Sequence, residues 1–152
     1  MSTTPGSDVR SSIVTCSNCQ TKNRVPVAST GHPRCGKCKS PLPWVVDAGD
    51  SDFDEIADQA TLPVLVDVWA PWCGPCRMVT PVLEQLASEM AGQIKLVKVN
   101  ADEAPRLSQR FEAQAIPTLL VMKNGQVVEK QVGAAPAHVL REWVHEALDK
   151  NK

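Results

Sequence analysis

From Trp44 onward the chain alternates between apolar runs of strand length and apolar stripes of helical period. Val64 to Trp69 is an almost continuous apolar run, the pattern of a strand covered on both faces. Trp44-Val45-Val46 predicts a shorter strand before it, and Asp52 stands as the N-cap of a helix through Phe53, Ile56 and Ala57. After the long run, Met78, Val79, Val82, Leu83, Leu86, Ala87 and Met90 form one apolar stripe of a long helix, with Pro81 inside it as an expected kink. Ile94 to Val99 predicts the next strand, and Glu103 to Phe111 a short helix made irregular by Pro105. Thr118 to Met122 and Gln126 to Val132 read as strands joined at Lys123-Asn124-Gly125, a strong hairpin signal. A last helix opens at Pro136 and is expected to bury Val139, Leu140, Trp143, Val144, Ala147 and Leu148. The order β-α-β-α-β-α-β-β-α over residues 43–152 predicts an α/β domain, a mixed central sheet with helices on both faces.

Residues 13–42 follow different rules. Apolar side chains are sparse there (Ile13, Val14, Val25, Val27), and Pro26, Gly31, Pro33 and Gly36 argue against regular elements. A segment of about 30 residues cannot fold alone on so little apolar surface. Cys16-Ser17-Asn18-Cys19 and Cys35-Gly36-Lys37-Cys38, fifteen residues apart, supply a staple with zinc-ribbon spacing. Each Cys-x-x-Cys turn offers two sulfurs to one side, so two turns complete a tetrahedron around one Zn²⁺. Iron in the same four-sulfur shell, and a pair of disulfides or free thiols, are the alternatives. His32 is not needed to fill the shell. Pro41-Leu42-Pro43 reads as a stiff joint to the larger domain.

Composition adds a location and removes some partners. Residues 1–12 are rich in Ser and Thr and lack the apolar centre of a secretory signal, so they read as a disordered tail. Without an export signal, six cysteines fit a reducing cytoplasm that keeps thiols free for metal and for redox turnover. No apolar run approaches the ~20 residues that span a bilayer. Residues 1–47 hold six basic and two acidic side chains, against ten and fifteen in the remainder. A basic N-terminal segment suggests nucleic acid, but a zinc ion in four thiolates is itself an anion and accounts for nearby cations. Nucleic acid is therefore not expected as a partner.

The third pair, Cys73-Gly74-Pro75-Cys76, lies between the buried strand and the long helix. Unpaired N–H groups at a helix start stabilise a thiolate, so Cys73 is the expected nucleophile. Cys76, deeper in the helix, is expected to be the more buried and to resolve a mixed disulfide. Gly74 lets a partner chain come close, and Pro75 suits a first turn. Asp67 interrupts Val66-Asp67-Val68; if buried, its pKa rises and it becomes a proton acceptor and donor, and if not, it lies on an exposed edge. Lys98 alternates with Ile94 and Leu96 and is either the inward charge partner of Asp67 or a solvated strand lysine.

Asp67 to Arg77 with its Trp72-Cys73-Gly74-Pro75-Cys76 core, then Pro81, Ile116-Pro117-Thr118, Asn124-Gly125 and Val132-Gly133-Ala134 together resemble the thioredoxin family over residues 44–148. With the four-cysteine segment, the whole chain is similar to the zinc-containing bacterial members. The resemblance implies a thioredoxin fold and a protein-disulfide reductase working through Cys73 and Cys76. It implies that Pro117 is a cis proline facing the dithiol, and that Trp72, Ile116, Pro117, Gly133 and Ala134 form an apolar surface for an extended substrate segment. Asp67 would help deprotonate Cys76. Gly-Pro between the cysteines resembles the reducing members, whereas oxidising and isomerising relatives usually carry a histidine there. Oxidised proteins would be the substrates of a monomeric enzyme, an NADPH-dependent thioredoxin reductase its electron donor, and no organic cofactor would be bound.

Overall fold

A computed structural model of the chain describes residues 11–28 and 31–151. The tail expected over residues 1–12 lies outside them except at its end, where Ser11 opens the first strand. A two-stranded antiparallel ladder comes first, β1 (Ser11–Thr15) against β2 (Lys22–Pro26). A five-stranded sheet follows, built from β3 (Val45–Ala48), β4 (Val64–Trp69), β5 (Lys95–Asn100), β6 (Thr118–Lys123) and β7 (Gln126–Val132) in the order β3-β5-β4-β6-β7. β3, β5 and β4 run parallel; β6 is antiparallel to β4, and β7 to β6. The long helices are α1 (Cys76–Glu89) and α3 (Ala137–Lys150), with the short α2 (Pro105–Arg110) between them. The mixed sheet with helices on both faces is the architecture that the apolar pattern predicts.

Two apolar layers lie on the two faces of this sheet. On one, Leu65, Ile94, Leu96, Leu119 and Val121 pack against Val79, Leu83 and Leu86 of α1 and Leu140 and Val144 of α3. On the other, Val66, Val68, Val97 and Leu120 meet Phe53, Ile56, Leu107 and Phe111, and the same layer continues into Trp44, Leu42, Val25, Cys35 and Cys16. The four-cysteine segment thus shares a core with the sheet. Leu42, expected in a stiff joint, is fully buried in that shared layer. The hairpin turn forms as the sequence requires, with Asn124 and Gly125 at φ 53° and 78°, the left-handed pair that matches strand twist.

Several local expectations are corrected. β1 and β2 are regular strands in a segment whose prolines and glycines argued against any, because pairing across the cysteine turns substitutes for a core of their own. Asp54–Asp58 closes as a single π-helical turn, with Gln59 N–H bonding to Asp54 O at 3.0 Å. The Asp52 carboxylate accepts from the Gly49 N–H at 2.7 Å, and the residue at the cap position of the turn is Phe53. Met78 is 75% exposed and Val139 36%, so neither belongs to the buried stripe of its helix. Pro81 lies inside α1, where the sequence places it.

Candidate functional site

β4 ends at Trp69, and the chain turns through Ala70 to Pro75 before α1 begins at Cys76. Cys73 and Cys76 are joined as a disulfide across this turn, with Cα atoms 5.4 Å apart. The Cys76 N–H points at Cys73 Sγ at 3.2 Å, one of the unpaired donors at a helix start that favour negative charge on that sulfur. The two sulfurs' residues are equally buried, at 3% each, so the expectation that Cys76 is the deeper one does not hold for the bonded pair. Cys76 is the first residue of α1, not a turn inside it.

Around the pair the predicted residues converge. The Ile116–Pro117 peptide is cis, and the Ile116 carbonyl lies 3.7 Å from Cys73 Sγ. Ile116 packs on Ala70, Cys73 and Cys76. Gly133 N–H bonds to the Pro117 carbonyl at 2.8 Å, which brings the end of β7 beside the proline; Gly133 holds φ 91° with open space where a Cβ would stand. Trp72 is 67% exposed, its indole N–H donating to Asp102 at 3.0 Å, so an apolar face stands free next to the dithiol. Gly74, Pro75 and Ala134 are exposed on the same rim.

Asp67 is fully buried, in the central strand and not on an edge. Burial pushes its pKa up to about 6, against the Thr80 hydroxyl 2.6 Å from Oδ2 and the more distant Lys98. Lys98 neighbours Asp67 in register, yet its ammonium bonds Glu84 at 3.0 Å. It acts on Asp67 only through space, and Glu84 opposes it. Oδ1 of Asp67 has no hydrogen-bond partner among the described residues.

The four remaining cysteines form a second constellation at the far end of the shared core. Their Sγ atoms all lie within 4.8 Å of one another, with Cys16–Cys38 and Cys19–Cys35 at 3.6 Å. A tetrahedral zinc shell with Zn–S near ~2.3 Å requires sulfurs roughly 3.8 Å apart, so the donor set fits. The two turns are copies of one another. Cys16 O accepts from Gln20 N–H at 2.8 Å and Cys35 O from Lys39 N–H at 3.0 Å; Gln20 and Lys39 both adopt positive φ, 66° and 68°. Donors crowd the sulfurs: the Asn18 amide, foremost, draws the Cys38 thiol down to about 5, and the Cys38 N–H, foremost, draws Cys35 to about 7. The field favours thiolates at Cys35 and Cys38, whereas Cys16 is raised, its Cys19 N–H donor outweighed by burial and the neighbouring thiols.

Sequence reasoning missed two residues. Lys95 is fully buried, its ammonium donating to Val27 O at 2.6 Å and Ile56 O at 2.7 Å and standing 3.9 Å over the Trp44 ring. Burial pushes its pKa down to about 8. Trp44 itself donates to Pro26 O at 3.0 Å, so both side chains join the sheet to the end of β2. Thr80, one helical turn beyond Cys76, is the other; its place in the Cys-x-x-x-Thr spacing of α1 is the signal that marks it.

A profile of the thioredoxin family matches residues 44–146. The chain belongs to the thioredoxin family. Among curated relatives it is 46% identical to a thioredoxin of Haemophilus influenzae over 104 residues, 68% of this chain and 97% of that protein. It is also 46% identical over 99 residues to thioredoxin 1 of a Nostoc species, covering 65% and 92% of the two chains. A chloroplastic M-type thioredoxin of Pisum sativum matches equally well over 99 residues, 65% of this chain and 58% of that one. The chain is accordingly a protein-disulfide oxidoreductase, with Cys73 and Cys76 at the family's active-site position. The profile begins at Trp44, after the four-cysteine segment. Among the described residues no helix is long and apolar enough to cross a membrane.

Proposed function

We propose that the chain is a reductase of protein disulfides, one of the zinc-containing kind, in which residues 13–42 hold a structural metal and residues 43–152 do the chemistry. The observation that carries the reading is the Cys73–Cys76 pair, set at a helix start beside a free apolar rim, with a buried carboxylate in the strand that leads into it. In the reduced enzyme the Cys73 thiolate attacks one sulfur of a substrate disulfide. A Cys73–substrate bond forms, the substrate S–S bond breaks, and the first substrate thiolate leaves and takes a proton from solvent. Cys76 then gives its proton to Asp67 and attacks Cys73 Sγ. The Cys73–Cys76 bond forms, and the second substrate thiolate leaves and is protonated. Two electrons pass from the dithiol to the substrate.

Trp72, Ile116, Pro117, Gly133 and Ala134 are read as the surface that receives the substrate, and Gly74 and Pro75 as the approach to Cys73. Lys98 acts on Asp67 as a nearby cation, not as an ion-pair partner. An NADPH-dependent thioredoxin reductase returns the electrons, and the enzyme acts as a cytoplasmic monomer. Cys16, Cys19, Cys35 and Cys38 would hold one Zn²⁺, whose thiolate bonds cross-link the N-terminal segment without entering the reaction. Insulin reduction with NADPH and thioredoxin reductase tests the reading. Cys73→Ser should abolish turnover, and retained turnover would refute the mechanism.

A further inference from the structure

Asp67 occupies a position with unusually few partners for a buried carboxylate. Along β4 it faces α1, opposite Leu119 of β6 and beside Lys98 of β5 in register. The charged groups around it are Lys98 and Glu84, which are paired to each other at 3.0 Å and so act on Asp67 in opposite directions. Arg77 and, once the disulfide is opened, the Cys76 thiol line one cavity of about 300 Å³ together with Thr80, Pro81, Lys98 and Trp69. None of these charges bonds Asp67 directly. The hydroxyl of Thr80 does, at 2.6 Å from Oδ2, while Oδ1 has no partner among the described residues.

The choice of acceptor by Thr80 is informative. A threonine inside a helix commonly gives its single hydroxyl proton to the carbonyl four residues back, which here belongs to Cys76. Thr80 gives it across the helix–sheet interface to Asp67 instead. Its branched Cβ restricts the side chain to few rotamers, so the hydroxyl is held where it is needed.

We propose that Thr80 is a positioning residue for the proton acceptor of this site. Its hydroxyl holds Oδ2 of Asp67 and leaves Oδ1 as the atom that exchanges the Cys76 proton. The proposal rests on the reductase reading, because it assigns a function to Thr80 only if Cys76 must be deprotonated to resolve the mixed disulfide. The bond also favours the charged carboxylate over the neutral one, in opposition to burial.

The test is the pH profile of mixed-disulfide resolution in the full-length chain, compared with Thr80→Val, which keeps the shape and removes the hydroxyl. Loss of a charge-assisted hydrogen bond should move the acidic limb upward by about one pH unit. The rate at pH 6 then falls about fivefold and the rate at pH 8 hardly changes. Thr80→Ser should restore the parental profile. A Thr80→Val profile that is unshifted, or lowered equally at every pH, would overturn the proposal. Titration of the Asp67 carboxyl by carbon NMR in the oxidised protein gives a readout independent of turnover, and Thr80→Ala serves if the valine variant does not fold. An upward shift in that titration is expected even were the chain to lack reductase activity, so failure of the reductase reading and failure of the hydrogen-bond assignment give different results.

Discussion

At the four-cysteine site the sulfurs lie within 4.8 Å of one another and unbonded, whereas Cys73 and Cys76 are joined to each other, although all six residues lie in Cys-x-x-Cys turns. What separates the two outcomes is how the chain leaves the turn. After Cys19 and Cys38 it reverses through a residue of positive φ, Gln20 or Lys39, and each sulfur pair is presented to the other pair. After Cys76 it continues into α1, so the two sulfurs stay side by side at a helix start with the Cys76 N–H directed at Cys73. The first arrangement brings four sulfurs together as a donor set that would hold one cation and cross-link a segment poor in apolar residues. The second keeps the two sulfurs bonded and equally buried beside the free apolar face of Trp72. The same spacing therefore yields four unbonded sulfurs in one place and a disulfide in the other.

The sharpest separation of the two regions is Cys76→Ser. Turnover should fall by a factor on the order of 10³ or more, with a substrate adduct accumulating on Cys73 in the mass spectrum, while metal content stays as in the parent. Failure to trap the adduct would remove the resolving role of Cys76. From the other side, chelation of the metal should lower the melting temperature by something on the order of 10 °C, because the N-terminal segment contributes to the same apolar layer as the sheet. A chain whose calorimetric transition ignores chelation would contradict the shared core.

Smaller effects refine the boundary between the regions. Lys95→Ala removes the donor to Val27 O and Ile56 O and opens space beside Trp44, and should cost about 3 kcal/mol in denaturant unfolding. An unchanged unfolding midpoint would show that the lysine does not hold the segments together. Asp67 carries the opposite expectation. Its pKa is raised from 3.8 to about 6, so the stability of its protonated form is fully present below about pH 4 and is lost as pH rises through about 6. Asp67→Asn should therefore be more stable than the parent at pH 8 by about 2–3 kcal/mol, an advantage that disappears toward pH 4. Equal stability of the two at both pH values would mean that burial is not what raises the carboxyl's pKa.

Asp67 was legible because a charged residue between Val66 and Val68 breaks a run that otherwise requires burial, and the structure buries it. The dithiol was legible from its place between a strand and a helix. Lys95 and Lys98 show the limit. Both lie in β5 among apolar residues, and the pattern draws attention to Lys98 because it shares a face with Ile94 and Leu96. Yet Lys98 is 21% exposed and bonds Glu84, while Lys95 is buried under a segment 68 residues away in sequence. Nothing within β5 announces that cover. The same holds for β1 and β2, whose order depends on the paired cysteine turns and on packing against Trp44 and Leu42, not on their own residues. At Gly92, φ 83°, a Cβ would meet the Pro41 ring at 2.9 Å, so this close approach of the N-terminal segment requires glycine at a site that periodicity leaves unremarkable.

The division of labour between the six cysteines is tested most directly by zinc content per chain across the six Cys→Ser variants, purified reduced and measured by elemental analysis. One zinc per chain should remain in the parent and in the Cys73 and Cys76 variants, and replacement of Cys16, Cys19, Cys35 or Cys38 should lower it. Zinc that survives replacement of those four, or that leaves with Cys73 or Cys76, would contradict the separation of a metal site from a redox site.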